Sequence, residues 1–272
     1  VNEIVRLALE EDIGTGDVTT QACVPGGRQA SGVFLARQDL VIAGLDLLTE
    51  IYSLRGGITS LELLKSNGDH VRDNEIVARV TGPARTLLEC ERVALNFLQR
   101  LSGVATLARR FADEVSGTKC RVLDTRKTTP GLRMLEKKAA AAGGVTNHRV
   151  GLFDAILIKN NHITAAGGVT QALTNAAGFG LPVEIEVRTE DELREALAAG
   201  ATQLLLDNLT PSQAREWIAI IDGRATVELS GNVTLQTVRA YAETGADFVS
   251  SGSITHSAPA ADLSFRLTLL ND

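Results

Sequence analysis

The chain has 272 residues, with 27 Lys plus Arg against 33 Asp plus Glu and a formal net charge of −6. That length allows one large domain or two smaller ones. A composition of 44% hydrophobic and 22% charged residues supports a sizeable core and excludes a disordered chain. The longest uncharged stretch, Ile163 to Val183, is interrupted by glycines, a proline and polar residues, so no membrane span is expected. No basic-then-apolar leader opens the sequence. Three scattered cysteines (Cys23, Cys90, Cys120) fit neither a disulfide framework nor a structural zinc site. The composition therefore points to a soluble, cytoplasmic protein.

The N-terminal third reads as α+β. Ile4, Val5, Leu7, Ala8 and Leu9 predict a short amphipathic helix, closed by the turn residues Gly14-Thr15-Gly16-Asp17. Short strands follow at Gly32–Ala36 and Leu40–Ala43, then a helix over about Asp46–Leu54. Two strands, Leu61–Lys65 and Glu75–Val80, flank the turn signal Asn67-Gly68. Pro83 opens a long helix to Leu101. On it Arg85, Glu89, Arg92, Asn96, Gln99 and Arg100 share one face, and Leu87, Leu88, Ala94, Leu95, Leu98 and Leu101 share the other. Glu91 falls in the apolar stripe, which predicts a paired carboxylate. Gly103 is read as a break in the helix and a domain boundary.

From there strand and helix alternate. Strands are predicted at Arg121–Leu123, Ala155–Ile158, Val183–Val187, Gln203–Leu206, Thr226–Leu229 and Phe248–Ser250, with a weaker one near Val145. Helical patterns fill Glu190–Ala199, Ser212–Ile221 and Thr234–Thr244. Strand ends recur at Glu186, Asp207, Ser230 and Ser251, a spacing that fits a parallel α/β barrel of about six or seven strands. In such a fold the site lies at the carboxyl ends of the strands.

A polar or charged residue follows nearly every strand run: Asp124-Thr125-Arg126-Lys127, Lys159, Glu186, Asp207, Ser230 and Ser251. One charged strand end is ordinary loop chemistry. Repetition around one rim suggests a site. Eight cations and three acids between Arg121 and Lys159 make a basic island in an acidic chain. That pattern suits a small anionic ligand, whereas nucleic acid requires a broader positive surface.

Arg126 and Arg149 offer planar forks for carboxylates, and Lys127 a point charge for phosphate. Lys159 ends an apolar strand and is read either as reaching into the rim or as snorkelling from it. Alternation puts Glu184 and Glu186 on one strand face. Asp207 either joins that rim or caps the following turn. Acids beside these cations suit Mg²⁺, ribose hydroxyls or a developing positive charge. Ser230-Gly231-Asn232 and Ser251-Gly252-Ser253 sit at late strand-to-helix turns, where barrels bind phosphate. There is no P-loop and no GxGxxG motif. His148 and His256 each lack a partner at metal-ligand spacing.

Taken together, eight segments resemble the quinolinate phosphoribosyltransferase family, also called nicotinate-nucleotide pyrophosphorylase (carboxylating). They are EEDIGTGDVTT (10–20), ERVALNFLQRLSGVAT (91–106), DTRKTTPGLR (124–133), NHRVGLFDAILIKNNH (147–162), EIEV (184–187), LLLDN (204–208), ELSGNV (228–233) and SSGSITHS (250–257). Asn160 stands where an acidic residue is commoner in the family.

The resemblance implies a type II phosphoribosyltransferase fold. It comprises an N-terminal α/β open sandwich over 1–102 and an α/β barrel over 103–257, with the tail 258–272 returning to the first domain. It also implies condensation of quinolinate with phosphoribosyl pyrophosphate to give nicotinate mononucleotide, pyrophosphate and CO₂, with Mg²⁺, in NAD biosynthesis. Carried over by position, Arg126, Arg149, Lys159 and His148 would hold the two carboxylates, joined by Arg92 from the second subunit of a homodimer. Lys127 would serve the phosphoribosyl or pyrophosphate side, with Thr125 beside it. Glu186 and Asp207 would contact ribose and Mg²⁺, completing a catalytic set with Lys127. The turns Ser230-Gly231-Asn232 and Ser251-Gly252-Ser253 would take the 5′-phosphate.

Three alternatives differ in testable ways. A related transferase would use nicotinate, a Schiff-base lyase would use Lys159, and a non-catalytic anion sensor would form no product.

Overall fold

Local sequence sets most of the elements in the computed structural model, which describes residues 2–270. The N-terminal part runs α1 (Asn2–Ile13), α2 (Val18–Cys23), β1 (Gln29–Ala36), β2 (Leu40–Val41) and α3 (Leu47–Ser53). Then follow β3 (Ser60–Leu63), β4 (His70–Val71), β5 (Ile76–Pro83) and α4 (Ala84–Glu114). The remainder continues β6 (Arg121–Leu123), α5 (Arg133–Ala142), β7 (Ile156–Ile158), α6 (Asn160–Ala166), α7 (Val169–Ala176) and β8 (Val183–Val187). It closes with α8 (Glu190–Ala198), β9 (Gln203–Asp207), α9 (Pro211–Ile221), β10 (Thr226–Ser230), α10 (Val238–Ala242), β11 (Phe248–Ser250), α11 (Ser253–His256) and β12 (Leu263–Leu269).

These elements fall into two compact units. One holds residues up to Arg109 together with 129–144 and the tail from Ser257; the other holds Arg110–Thr128 and Val145–His256. The division falls seven residues after the boundary read at Gly103, and α5 joins the first unit. Gly103 does not break α4, because its role is steric. A Cβ there would lie 2.0 Å from the Pro259 carbonyl oxygen, so glycine admits the returning tail against the helix.

In the first unit a four-stranded antiparallel sheet has the order β12-β1-β5-β3, and β2 pairs with β4. The tail thus supplies an edge strand. Phe34 is fully buried against Phe265, with ring centroids 4.8 Å apart, and Gly32 leaves room for that second ring. Asn67-Gly68 does not make a tight hairpin, since β4 intervenes before β5. Helix α2, unforeseen in the sequence, is capped by Asp17, whose carboxylate accepts from the Thr20 N–H at 2.9 Å.

Two charges in this unit differ from expectation. Lys137, which suits a solvated helix face by pattern, is 2% exposed, next to fully buried Glu136, which pairs with Arg100 at 2.7 Å. Glu91 forms no ion pair among the described residues, and burial raises its carboxyl above the ordinary value, opposed by Arg92.

The second unit is built on a six-stranded parallel sheet in the order β6-β11-β10-β9-β8-β7. The weak strand near Val145 is a single parallel bridge, Leu123 to Thr146. Leu204, Leu206, Val227, Leu229, Ile185, Val187 and Val249 are buried, as expected for strands covered on both faces. Burial of each such side chain contributes about 1.5–3 kcal/mol. The inner face also carries charge. Glu186 and Glu228 are 4% and 3% exposed, and both face the cavity at the carboxyl ends of the strands.

Candidate active site

Side chains at the strand ends surround a cavity of about 640 Å³ in the second unit. Its lining includes Thr125, Arg126 and Lys127 after β6; His148 and Arg149; and Lys159 after β7. Glu186 and Asp207 come from β8 and β9. Ser230, Gly231 and Asn232 follow β10, and Ser251, Gly252 and Ser253 follow β11. Every barrel residue that the resemblance assigns to the site therefore lines one cavity, whereas Asp124 and Glu184 lie behind it. Five Arg or Lys residues face three acids across it, counting Arg188 and Glu228, which the motifs did not single out. The surplus is positive and suits an anion.

The loop after β6 is held rigidly. Thr125 Oγ1 accepts from the Lys127 N–H at 3.1 Å, and Thr255 Oγ1 donates to the Lys127 carbonyl at 2.8 Å. Fully buried Asp124 organises the next segment, accepting from Asn147 Nδ2 and from the His148 N–H, both at 2.7 Å. Asp154 accepts from the Val150 and Gly151 N–H groups at 2.6 and 2.9 Å, bonds that hold its carboxyl below the usual range. Arg149 is fixed between these two acidic anchors. Its Nη1 donates to the Ala155 carbonyl at 3.1 Å, while its buried Nε has no hydrogen-bond partner. Burial, and then the Arg126 charge, push Arg149 below its ordinary pKa. Two guanidinium groups that repel each other in an enclosed place are poised for a shared anion.

His148 turns inward. Its Nδ1 accepts from the Arg149 N–H at 2.7 Å, and its Nε2 lies 3.2 Å from both Glu184 and Glu228. Both ring nitrogens are thus engaged within the protein, while His148 also lines the cavity. Burial opposes charge here, but the hydrogen bonds that the ring donates to Glu184 and Glu228 prevail and raise the His148 pKa to about 9. In the neutral ring the backbone contact to Nδ1 sets the proton on Nε2, toward the two carboxylates. Burial raises the Glu184 carboxyl above its ordinary value. His148, Glu184 and Glu228 have metal-like spacing, their ligating atoms within 4.8 Å of one another. A protonated Nε2 cannot ligate, so the tautomer favours a proton-sharing cluster over a metal centre.

The acidic side of the cavity is a chain of alternating charges. Lys159 Nζ lies 3.4 Å from Glu186 Oε2, and Arg188 Nη2 lies 2.8 Å from Glu186 Oε1. Arg188 Nε is 3.7 Å from Asp207 Oδ2, which also accepts from Asn208 Nδ2 at 2.8 Å. Burial and then repulsion by Glu186 raise the Asp207 carboxyl. Asp207 does not cap the next helix; Thr210 and Gln213 form that cap.

At the late turns the backbone is unusual. Gly231 has φ +99°, and both Asn208 and Asn232 are left-handed at +58° and +52°. A Cβ on Gly231 would lie 2.2 Å from Asn208 Oδ1 and 2.8 Å from the Asn208 nitrogen, so only glycine fits. Ser251 Oγ donates to the Val233 carbonyl at 2.7 Å and is 2.8 Å from Ser253 Oγ, which ties the two turns together.

Two family models match nearly the whole chain: "Quinolinate phosphoribosyl transferase, N-terminal domain" over 17–102 and the corresponding C-terminal domain over 104–266. The chain belongs to the quinolinate phosphoribosyltransferase family. It is 42% identical over 265 residues to a probable nicotinate-nucleotide pyrophosphorylase [carboxylating] of Bacillus subtilis, covering 96% of this chain and 91% of that one. A chloroplastic nicotinate-nucleotide pyrophosphorylase [carboxylating] of Arabidopsis thaliana is 39% identical, covering 97% and 82%. Among solved structures, NadC from Streptococcus pyogenes superposes with a TM-score of 0.94 at 38% identity, covering 99% of this chain and 97% of that one. The nicotinate-nucleotide pyrophosphorylase of Francisella tularensis superposes with a TM-score of 0.94 at 38% identity, covering 98% and 95%.

Membership of this family leaves Arg92 to be located. It lies exposed on α4 in the first unit and forms no hydrogen bond or ion pair among the described residues. Its i−3 neighbour Glu89 pairs instead with Arg55 at 2.7 Å. Sequence reasoning missed Arg188, Asn208 and Glu228 as cavity residues. The alternation Glu184-Glu186-Arg188 and Glu228-Ser230 carried the signal for two of them.

Proposed function

We propose that this chain transfers the phosphoribosyl group of phosphoribosyl pyrophosphate to quinolinate with decarboxylation, giving nicotinate mononucleotide, pyrophosphate and CO₂ for NAD biosynthesis. The observation that carries this reading is the enclosed Arg126–Arg149 pair facing the Glu186–Asp207 pair across one cavity. A dianion must approach a donor that is itself strongly anionic, and the site supplies cations for both. Arg126, Arg149 and Lys159 hold the two carboxylates of quinolinate. His148 lines the cavity beside them and accepts the Arg149 backbone N–H, joining the carboxylate site.

As the bond from C1′ to pyrophosphate breaks, positive charge grows on the ribose. Glu186 and Asp207 stabilise it, and the quinolinate ring nitrogen bonds to C1′. Lys127 counters the charge on the departing pyrophosphate. The 2-carboxyl group then leaves as CO₂, its bonding pair remaining at ring C2 beside the cationic nitrogen until a proton replaces it. The step requires orientation and no strong base. The turns at Ser230-Gly231-Asn232 and Ser251-Gly252-Ser253 receive the 5′-phosphate, with Thr125 close to the pyrophosphate side.

Glu186 and Asp207 also fit Mg²⁺. They are hard oxygen donors set close enough to repel, in a polar cavity with room for phosphate oxygens and water. The ion, when bound, would neutralise pyrophosphate and assist its departure. The unpaired guanidinium of Arg92 supports a homodimer in which the partner's Arg92 completes the carboxylate site. The protein is read as cytoplasmic; no helix among the described residues is long and apolar enough to cross a membrane. Incubation with quinolinate and phosphoribosyl pyrophosphate tests the reading. Stoichiometric nicotinate mononucleotide and CO₂ are expected, and absence of both overturns it.

A further inference from the structure

Arg188 immediately follows β8 and has no part in the motifs above, yet it is the cation most closely engaged with the acid pair. Its main chain is anchored: the Arg188 N–H donates to Glu192 at 2.7 Å, and Thr189 caps α8. The side chain reaches back to Glu186 at 2.8 Å and to Asp207 at 3.7 Å, while remaining 47% exposed. It is therefore held at its base and free to turn at its tip. Arg188 and Lys159 between them occupy both oxygens of Glu186.

A divalent cation held by Glu186 and Asp207 would draw on the same carboxylates that Arg188 engages, and would meet its like charge there. Metal and Arg188 cannot both hold these carboxylates closely. Displaced from them, the planar fork of Arg188 is suited to phosphate oxygens at the same rim.

Building on the transferase reading, we propose that Arg188 is an internal counter-cation that competes with the divalent metal for Glu186 and Asp207. When the metal binds, Arg188 releases the acids and pairs with the pyrophosphate group of the substrate. The metal-free acids are thereby kept compensated, and metal binding is tied to arrival of the pyrophosphate donor. This coupling follows because metal alone must break the Arg188 pairs, whereas metal with pyrophosphate gives Arg188 a new partner.

Mn²⁺ serves as the probe, its free concentration read by electron paramagnetic resonance with and without inorganic pyrophosphate. Substituting Arg188→Gln should tighten Mn²⁺ binding in the absence of pyrophosphate by roughly tenfold or more, the size of one charge-assisted contact. The same variant should lose much of the gain in Mn²⁺ affinity that pyrophosphate gives the parent protein. Arg188→Lys, which keeps the charge, should resemble the parent in the first measurement. Unchanged or weaker Mn²⁺ binding by Arg188→Gln overturns the proposal. So does Mn²⁺ binding that survives Glu186→Gln combined with Asp207→Asn, because the metal then lies elsewhere. Turnover of quinolinate by the parent protein is assayed separately. Its absence would remove the transferase reading but leave the Mn²⁺ competition to decide the role of Arg188.

Discussion

Replacing Arg149 with Met should leave the empty protein as stable as before while sharply weakening its hold on quinolinate. The Arg149 side chain makes one hydrogen bond, from its charged guanidinium to the Ala155 carbonyl, and its buried Nε is unpartnered. Losing that bond, which the guanidinium charge strengthens, costs about 1.5 kcal/mol. Against this, the substitution removes a partly desolvated charge and its repulsion with Arg126, both of which already depress the Arg149 pKa. These contributions oppose each other, so the net change should be within about 1 kcal/mol, or roughly 2–4 °C in melting temperature for a unit of this size. Binding has no such compensation. Removing one charge-assisted contact to a carboxylate costs about 1.5–3 kcal/mol, a factor of roughly 10–150 in affinity. Calorimetric titration with quinolinate and thermal melts with and without it measure both quantities on one sample. A large fall in the melting temperature of the empty variant, with quinolinate affinity intact, would refute the reasoning and make Arg149 a structural cation.

Glu186→Ala and Asp207→Ala should each lower kcat more than they weaken quinolinate binding, since their partners are ribose, metal and the transition state; binding lost with kcat preserved at saturation contradicts these roles. His148 binds its proton more tightly when folded, because hydrogen bonds to Glu184 and Glu228 raise its pKa. Its stabilising contribution is therefore complete below the unfolded histidine value and disappears as pH rises through about 9, a change of at most about 3 kcal/mol. Urea melts between pH 6 and 10 should show that decline, and Glu228→Gln should flatten it. Arg92→Ala and Arg149→Ala should each be nearly inactive alone. Mixed under subunit exchange, they should recover about a quarter of parental activity through heterodimers with one intact site; heterodimers without recovery place Arg92 outside the partner's site.

The rim of the second unit was legible because each inner strand ends its apolar run with a polar residue. Lys159, Glu186, Asp207, Ser230 and Ser251 are of this kind, and all line the cavity. What the sequence could not convey were contacts across strands. Glu184 on β8 and Glu228 on β10 meet at His148 although β9 lies between their strands. The inward turn of His148 depends on its neighbour's backbone N–H, which no residue pattern encodes. Arg188 was within reach of the period-2 argument, but it lies one residue beyond the strand and resembles a loop charge. Gly103 was misread for a related reason. Glycine in a helix suggests a break by propensity, whereas its cause is the tail segment at Pro259, some 150 residues later. Lys137 likewise suits a solvent-facing position by local pattern but is buried by packing within its unit.

The central claim is that the cation cluster recognises a pyridine carrying two adjacent carboxylates. Competition between quinolinate and nicotinate for limiting phosphoribosyl pyrophosphate tests it most directly, with CO₂ release distinguishing the two acceptors. The account predicts that quinolinate is consumed almost exclusively, because Arg126, Arg149 and Lys159 together can hold two carboxylates and a monocarboxylate offers one. Equal or faster consumption of nicotinate would contradict that assignment.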